Sequence, residues 1–368
     1  MLTYRSIFSG KSFWGSRVLA IQAATFAAFV GAIGGLCVLF WYWKKRKPHL
    51  DKLLEQDKGE LTVSLPEMYK EIVKSAFPFV IVGIAIPLYQ MIDTLLFTRA
   101  MELAGEAKTS ALSLLGAMSF SSHKLVMIPV SLATAFSLTL VPLITASFVR
   151  EEPKQLKKQI DTIFQILLFL TIPAALGMSL LAEPLYTAFF GYSEIGGDIL
   201  RQYAPVAIGF ALFSVSAAIL QGINKQKFTV FSFLIGFVCK LALTVPLVYM
   251  VEETGLILSY IVGFTVSIVM NAIVIRRSID YQFTLVFRRV LLMILMNLVM
   301  LGATAILYLG LKNVLDVSVR MEAIAITAVC GLVGMVLYFL LALRLRLADK
   351  LFGSQMKKVR RKLRLEEA

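Results

Sequence analysis

The chain has 368 residues, of which 58% are hydrophobic and 16% charged, with a mean hydropathy of +0.79. Soluble domains average roughly 45–50% apolar and about 25% charged residues, so this composition excludes an ordinary water-soluble fold and belongs to an all-α integral membrane protein. The net charge of +14, from 37 Lys and Arg against 23 Asp and Glu, is therefore read by position relative to a bilayer, and no nucleic acid is expected as a partner.

A helix needs about 20 mostly apolar residues to cross the hydrocarbon core. Nine transmembrane helices are expected on that basis, at 17–43, 76–98, 125–149, 163–182, 203–222, 228–251, 254–275, 290–311 and 321–343. The first is too long for the core of a signal peptide, and no small-residue cleavage site follows it. Pro87, Pro142, Pro173 and Pro246 fall inside spans, where neighbouring helices satisfy the freed carbonyls. Basic residues alternate across the spans without a break. Twenty-seven lie in segments assigned to one side, from Lys44–Lys47 to Arg364, and six in the opposing loops. The richer side is cytoplasmic, so the C-terminus is expected inside and residues 1–16 outside. An odd number of spans with a short external N-terminus implies the C-terminal part of something longer.

The expected organisation is an external N-terminus with the first span (1–43), a basic cytoplasmic linker (44–75), a six-span block (76–275), a basic connector (276–289), two further spans (290–343) and a basic tail (344–368). In the linker, Leu50, Leu53 and Leu54, then Met68, Ile72 and Val73, read as short helices on the membrane surface. In the tail, Phe352, Met356, Val359 and Leu363 share one helical face opposite Lys357, Arg360, Arg361 and Arg364, so linker and tail are expected to lie on anionic lipids. Small residues at Ala27, Gly31 and Gly35, and at Gly331 and Gly334, read as close helix packing.

Cys37, Cys239 and Cys330 all lie in apolar runs, which argues against a disulfide framework. There is no HExxH, CxxC, P-loop or GxSxG pattern, so neither an enzyme nor a cofactor or metal is expected. Charged groups inside the membrane carry the chemistry, because each costs several kcal/mol unless paired or hydrated. Lys240 lies near the middle of its span and Asp93 in the outward half of another. Their depths differ by roughly 6 Å at 1.5 Å per residue, close enough for an intramembrane ion pair. Lys124, beside His123, stands at the expected start of the third span. It reads either as a phosphate-binding cation or as a lysine snorkelling to the interface. Gln90, Gln221, Asn271 and Asn297 read as interhelical hydrogen-bonding groups.

The run Ser121-Ser122-His123-Lys124-Leu125-Val126-Met127-Ile128-Pro129, continuing to Val141-Pro142, resembles the eighth span of the MurJ-type lipid II flippases. These belong to the multidrug/oligosaccharidyl-lipid/polysaccharide exporter superfamily. Ala182-Glu183-Pro184-Leu185 before Phe189-Phe190-Gly191, Leu220-Gln221-Gly222 before Lys225, and Thr254-Gly255-Leu256 extend the resemblance along about 300 residues in the right order. It is closest to the Gram-positive branch that includes the stage V sporulation protein B group. The resemblance implies the C-terminal part of a fourteen-helix, two-lobe flippase, with the N-terminal lobe and its cavity arginines missing. It implies a polyprenyl-pyrophosphate-linked oligosaccharide as substrate, moved by alternating access, and cell-wall synthesis proteins as partners. It aligns Lys124 with a cavity arginine, making His123 and Lys124 the expected substrate-binding residues. Family members often carry an acid three residues later, where this chain has Met127. Some relatives place a sodium site among the helices that hold Asp93 and Lys240, so the lysine ammonium would stand in for that cation. The rival readings are export of another lipid-linked glycan, a drug or cation antiporter of the same superfamily, and a non-transporting scaffold.

Overall fold

The computed structural model describes residues 13–55, 64–352 and Met356, which are helical with no strand among them. Residues Met1–Lys70 and Glu71–Ala368 form two separate compact units. In the first, α1 (Phe13–Glu55) contains the expected first span but does not stop at Trp43. It runs on through Lys44–Lys47, so the beginning of the expected linker, including Leu50, continues this helix and is not a separate surface helix. Three successive i,i+4 pairs hold the crossover from apolar to basic sequence. Lys45, Arg46 and Lys47 lie 5.5, 5.1 and 5.8 Å from the ring centres of Trp41, Tyr42 and Trp43. Such aromatic and snorkelling basic side chains mark an interface between apolar and polar surroundings.

Helix α2 (Leu65–Gly83) carries Met68, Ile72 and Val73, and α3 (Ala85–Leu103) follows it. The break at Ile84, where φ is −92° and ψ 1°, has a local cause. Pro87 lacks an N–H, and its ring would collide with the carbonyl four residues earlier, at Gly83. After a short turn through Gly105 (φ 97°), α4 (Lys108–Gly116) leads through a π-helical turn at Ala117–Ser122 into α5 (His123–Val149). This corrects the expectation of a loop over 99–124. Ala111, Leu115 and Met118 recur at helical spacing and are buried, while Lys108, Thr109, Ser110 and Ser113 dilute the hydropathy of the same stretch.

Helix α6 (Pro153–Leu180) leads into α7 (Ala182–Phe190), then α8 (Glu194–Tyr203) and α9 (Val206–Gly222). The expected loop over 183–202 is therefore mostly helical. α8 and α9 meet at a 40° bend, where Pro205 interrupts the hydrogen-bonded ladder. Gly191 ends α7 at φ 93°, ψ 164°, a conformation essentially reserved for glycine.

The segment α10 (Gln226–Ile279) turns at Val251 and Glu252, whose φ/ψ values are −140°/25° and 52°/−130°. Its two arms then pair antiparallel. Thr244 meets Ser259 at 3.3 Å and Ser232 meets Asn271 at 2.5 Å. Between them, a side chain at Gly263 would strike Lys240 Cβ at 2.8 Å. Small and hydroxylated residues thus line the seam, as close helix approach in a membrane requires. After the turn at 280–283 come α11 (Thr284–Lys312), α12 (Arg320–Arg344) and the short α13 (Leu347–Phe352). Most of the expected amphipathic tail lies outside the described residues.

In the second unit, α5 packs on α6 and α9, both arms of α10 serve α3 and α9, and α11 and α12 lie against α6, α7 and each other. One core cluster surrounds Tyr89, Tyr203, Phe210, Tyr260 and Phe264. A second surrounds Ile163, Leu167, Ile219, Met293 and Tyr338, joining the last two long helices to the rest. Gly334 sits against Thr304 of α11, where an added Cβ would lie 2.9 Å from the hydroxyl, whereas Gly331 faces open space. Six described helices are long and apolar enough to cross a membrane, or eight when bent pairs count as one span. That count takes the folded-back α10 once, so nine is not fixed by helix length and composition.

Candidate functional site

Asp93 of α3 and Lys240 of α10 are both fully buried, and Lys240 Nζ donates a hydrogen bond to Asp93 Oδ1. The ammonium also lies 5.6 Å from the ring centre of Tyr89 and 5.1 Å from that of Tyr260. Phe233, Phe237 and Phe264 close around Tyr89. An isolated charge in such surroundings costs several kcal/mol. The carboxylate and the two aromatic faces offset that cost together. Gly263 makes the room, since a Cβ there would lie 2.8 Å from both Lys240 Cβ and the Tyr89 hydroxyl. The arrangement ties α3 to the α10 hairpin.

His123 and Lys124 do not begin a helix. They stand in the middle of the continuous helical run from Lys108 to Val149, directly after its π turn. The extra residue in such a turn rotates everything downstream about the helix axis, and these turns are frequent at functional sites. Here the rotation leaves Lys124 exposed and His123 part-buried. His123 Nδ1 lies 3.0 Å from the Tyr203 hydroxyl, and its ring packs edge-on against Phe210 at 5.8 Å. No carboxylate among the described residues pairs with Lys124.

The two places are neighbours. Tyr203 packs edge-on against Tyr260 with ring centres 6.0 Å apart, and Tyr260 lies over the Lys240 ammonium. From the bare sequence they are separate sites. The tyrosines that join them carry no motif, and aromatic residues in apolar spans read first as packing.

Other polar contacts hold the frame. Asn271 accepts from Ser232 and donates to Ser216 at 3.0 Å, joining both arms of α10 to α9. Asn297 donates to the Met293 carbonyl of its own helix at 2.8 Å. Tyr281, in the turn before α11, donates to Asp161 at 2.5 Å. Burial first, and then this carboxylate, raise the Tyr281 hydroxyl well above its usual range, so it stays a donor. Arg289 hydrogen-bonds the buried Gln165. Near the opposite ends of α6 and α11, Lys312 meets Glu183 at 3.0 Å, with Tyr308 donating to the same carboxylate at 3.1 Å. Between half-exposed groups such a bridge contributes about 0–1 kcal/mol. In the adjoining turn, the Ser318 amide donates to Asp316 at 2.8 Å and holds that carboxyl below its ordinary range.

A family model described as polysaccharide biosynthesis protein matches residues 6–148, and the MatE model matches residues 78–245. The chain is 42% identical over 351 residues to the lipid II flippase MurJ of Bacillus subtilis (strain 168). That alignment covers 94% of this chain and 64% of the relative, so the chain spans a little less than two thirds of its length. A solved structure of lipid II flippase MurJ in an inward closed conformation aligns with 79% of this chain and 57% of its own, at a TM-score of 0.52 and 14% identity. At that identity it shows the fold. The resemblance read from the sequence is borne out.

Proposed function

We propose that this chain, a relative of the MurJ-type flippases, carries a lipid-linked cell-wall precursor across the cytoplasmic membrane without covalent chemistry. Its 42% identity across nearly the whole chain to a protein named a lipid II flippase carries the proposal. In this reading the exposed Lys124 ammonium, with His123 beside it, takes the pyrophosphate of the headgroup. An ammonium without a carboxylate partner is what a phosphate requires. The polyprenyl tail stays in lipid while the two lobes of the transporter rock about the bound headgroup. Asp93 and Lys240 form a fixed internal tie that keeps one lobe rigid during that motion. Binding of lipid II to the purified chain in nanodiscs tests the site. Lys124→Met is expected to weaken it by about tenfold, the effect of one lost charge-assisted contact. Lys312→Met is expected to leave it unchanged. Equal binding by the Lys124→Met chain removes Lys124 from the site.

The C-terminus is cytoplasmic in this reading, because 27 basic residues fall on one side and six in the opposing loops. The basic residues after α1 and in the tail then meet anionic lipid. An impermeant maleimide should label Asn313→Cys from outside intact cells and fail to label Asp280→Cys. The reverse pattern inverts the topology. The polysaccharide biosynthesis match over residues 6–148 favours, as the second reading, export of a different polyprenyl-linked glycan. Substituting such a lipid for lipid II in the same nanodiscs separates the two.

A further inference from the structure

We infer that Tyr203 is a positioning residue that fixes the tautomer of His123, so that Nε2–H is the donor this imidazole offers to an oxyanion of the diphosphate class. The inference rests on the proposed binding role of His123 and Lys124 and adds to it the group that orients the imidazole.

Tyr203 is 1% exposed, so its hydroxyl proton needs an acceptor inside the protein. His123 Nδ1, at 3.0 Å, is the partner the structure gives it. The Tyr260 hydroxyl, whose ring packs edge-on against that of Tyr203, makes no hydrogen bond among the described residues. If Nδ1 carried the proton and donated to the tyrosine oxygen, the phenolic O–H would be buried without an acceptor. If Nδ1 is bare and accepts, both groups are satisfied. A neutral imidazole carries one N–H, which places it on Nε2, across the ring from Tyr203. The partner bound at one ring nitrogen thus selects the state of the other.

The tyrosine is itself held firmly. It ends α8 immediately before the Pro205 break, and the rings of Phe210 and Tyr260 pack edge-on against it at 6.2 and 6.0 Å. Phe210 touches His123 as well. The imidazole therefore has its proton placed by one residue and its plane held by another. Lys124 supplies charge on the adjacent position, and Nε2–H supplies direction.

The chain has two histidines, His49 and His123, so His49→Gln leaves a single imidazole for 15N NMR in nanodiscs. The expected spectrum shows a protonated Nε2 and a Nδ1 that accepts a hydrogen bond. In Tyr203→Phe, which keeps the ring and its packing, the Nδ1 resonance should move to that of a free acceptor or the tautomers should mix. A protonated Nδ1 in the Tyr203 chain, or an identical spectrum in Tyr203→Phe, overturns the inference. Binding of farnesyl pyrophosphate to the same nanodiscs is the second readout. Tyr203→Phe should weaken it by about tenfold, as loss of an oriented donor to an anion does. Unchanged affinity in Tyr203→Phe, with Lys124→Met weakened, overturns the positioning role and spares the binding site. Equal affinity in the unsubstituted and Lys124→Met chains overturns the binding site, and the 15N spectrum then decides the tautomer by itself.

Discussion

Lys240 sits where a membrane protein least tolerates a lone cation, and the structure answers with one carboxylate and two tyrosine faces. Burying both charges gains little over burying two apolar groups of the same shape. Removing one partner alone costs about 3–5 kcal/mol. Lys240→Met and Asp93→Asn should therefore each lower the thermal midpoint of the purified chain clearly, with or without lipid-linked substrate. The pair Asp93→Leu and Lys240→Met should recover most of the loss. If the single substitutions are harmless, the contact is not a structural tie. Both residues can be singled out from sequence, because charges are rare in apolar spans and their depths along the helices are countable. Tyr203 and Tyr260 cannot, since nothing in a sequence distinguishes a tyrosine that orients a histidine from one that fills space.

At the level of helices, hydropathy located most of the apolar segments but misjudged where helices continue beyond them. The stretch from Lys108 to Ser122 reads as a loop because serine, threonine and lysine lower its average. It is nonetheless helical and packed through Ala111, Leu115 and Met118. That error placed His123 and Lys124 at a helix start instead of after a π turn, a feature with no sequence signature. The break between the spans expected at 228–251 and 254–275, by contrast, was legible, and the chain does reverse at Val251 and Glu252. The seam it creates depends on absent side chains. Gly263→Val should drive a side chain into Lys240 Cβ and the Gly236 carbonyl, at 2.8 and 2.9 Å from the new Cβ. Overpacking of this kind costs roughly 1–3 kcal/mol or more. At Gly331 an added Cβ meets nothing within 4 Å, so Gly331→Val serves as the control. A thermal melt in detergent that lowers the midpoint for Gly263→Val and not for Gly331→Val supports the seam. Equal midpoints count against it.

For the molecule as a whole, the resemblance to the MurJ-type flippases was legible because short runs occur in the right order over most of the chain. The substrate was not, because no motif in these runs names a headgroup, and this chain spans 64% of the relative it matches. What the second unit shows is a set of helices fastened to one another. α3 is tied to the α10 hairpin, α11 and the turn before it are fastened to α6 through Tyr281, Asp161, Arg289 and Gln165, and Lys124 is exposed after its π turn. In the proposed function such a unit suits rocking motion, in which a packed body moves as a unit about a bound ligand. The most direct test is made in cells depleted of their own lipid II flippase, by measuring the lipid II exposed at the outer surface. Expression of this chain should restore that exposure, and Lys124→Met, present in the membrane at the same level, should return it to the depleted background. No restoration by the chain, or equal restoration by the Lys124→Met chain, contradicts the account.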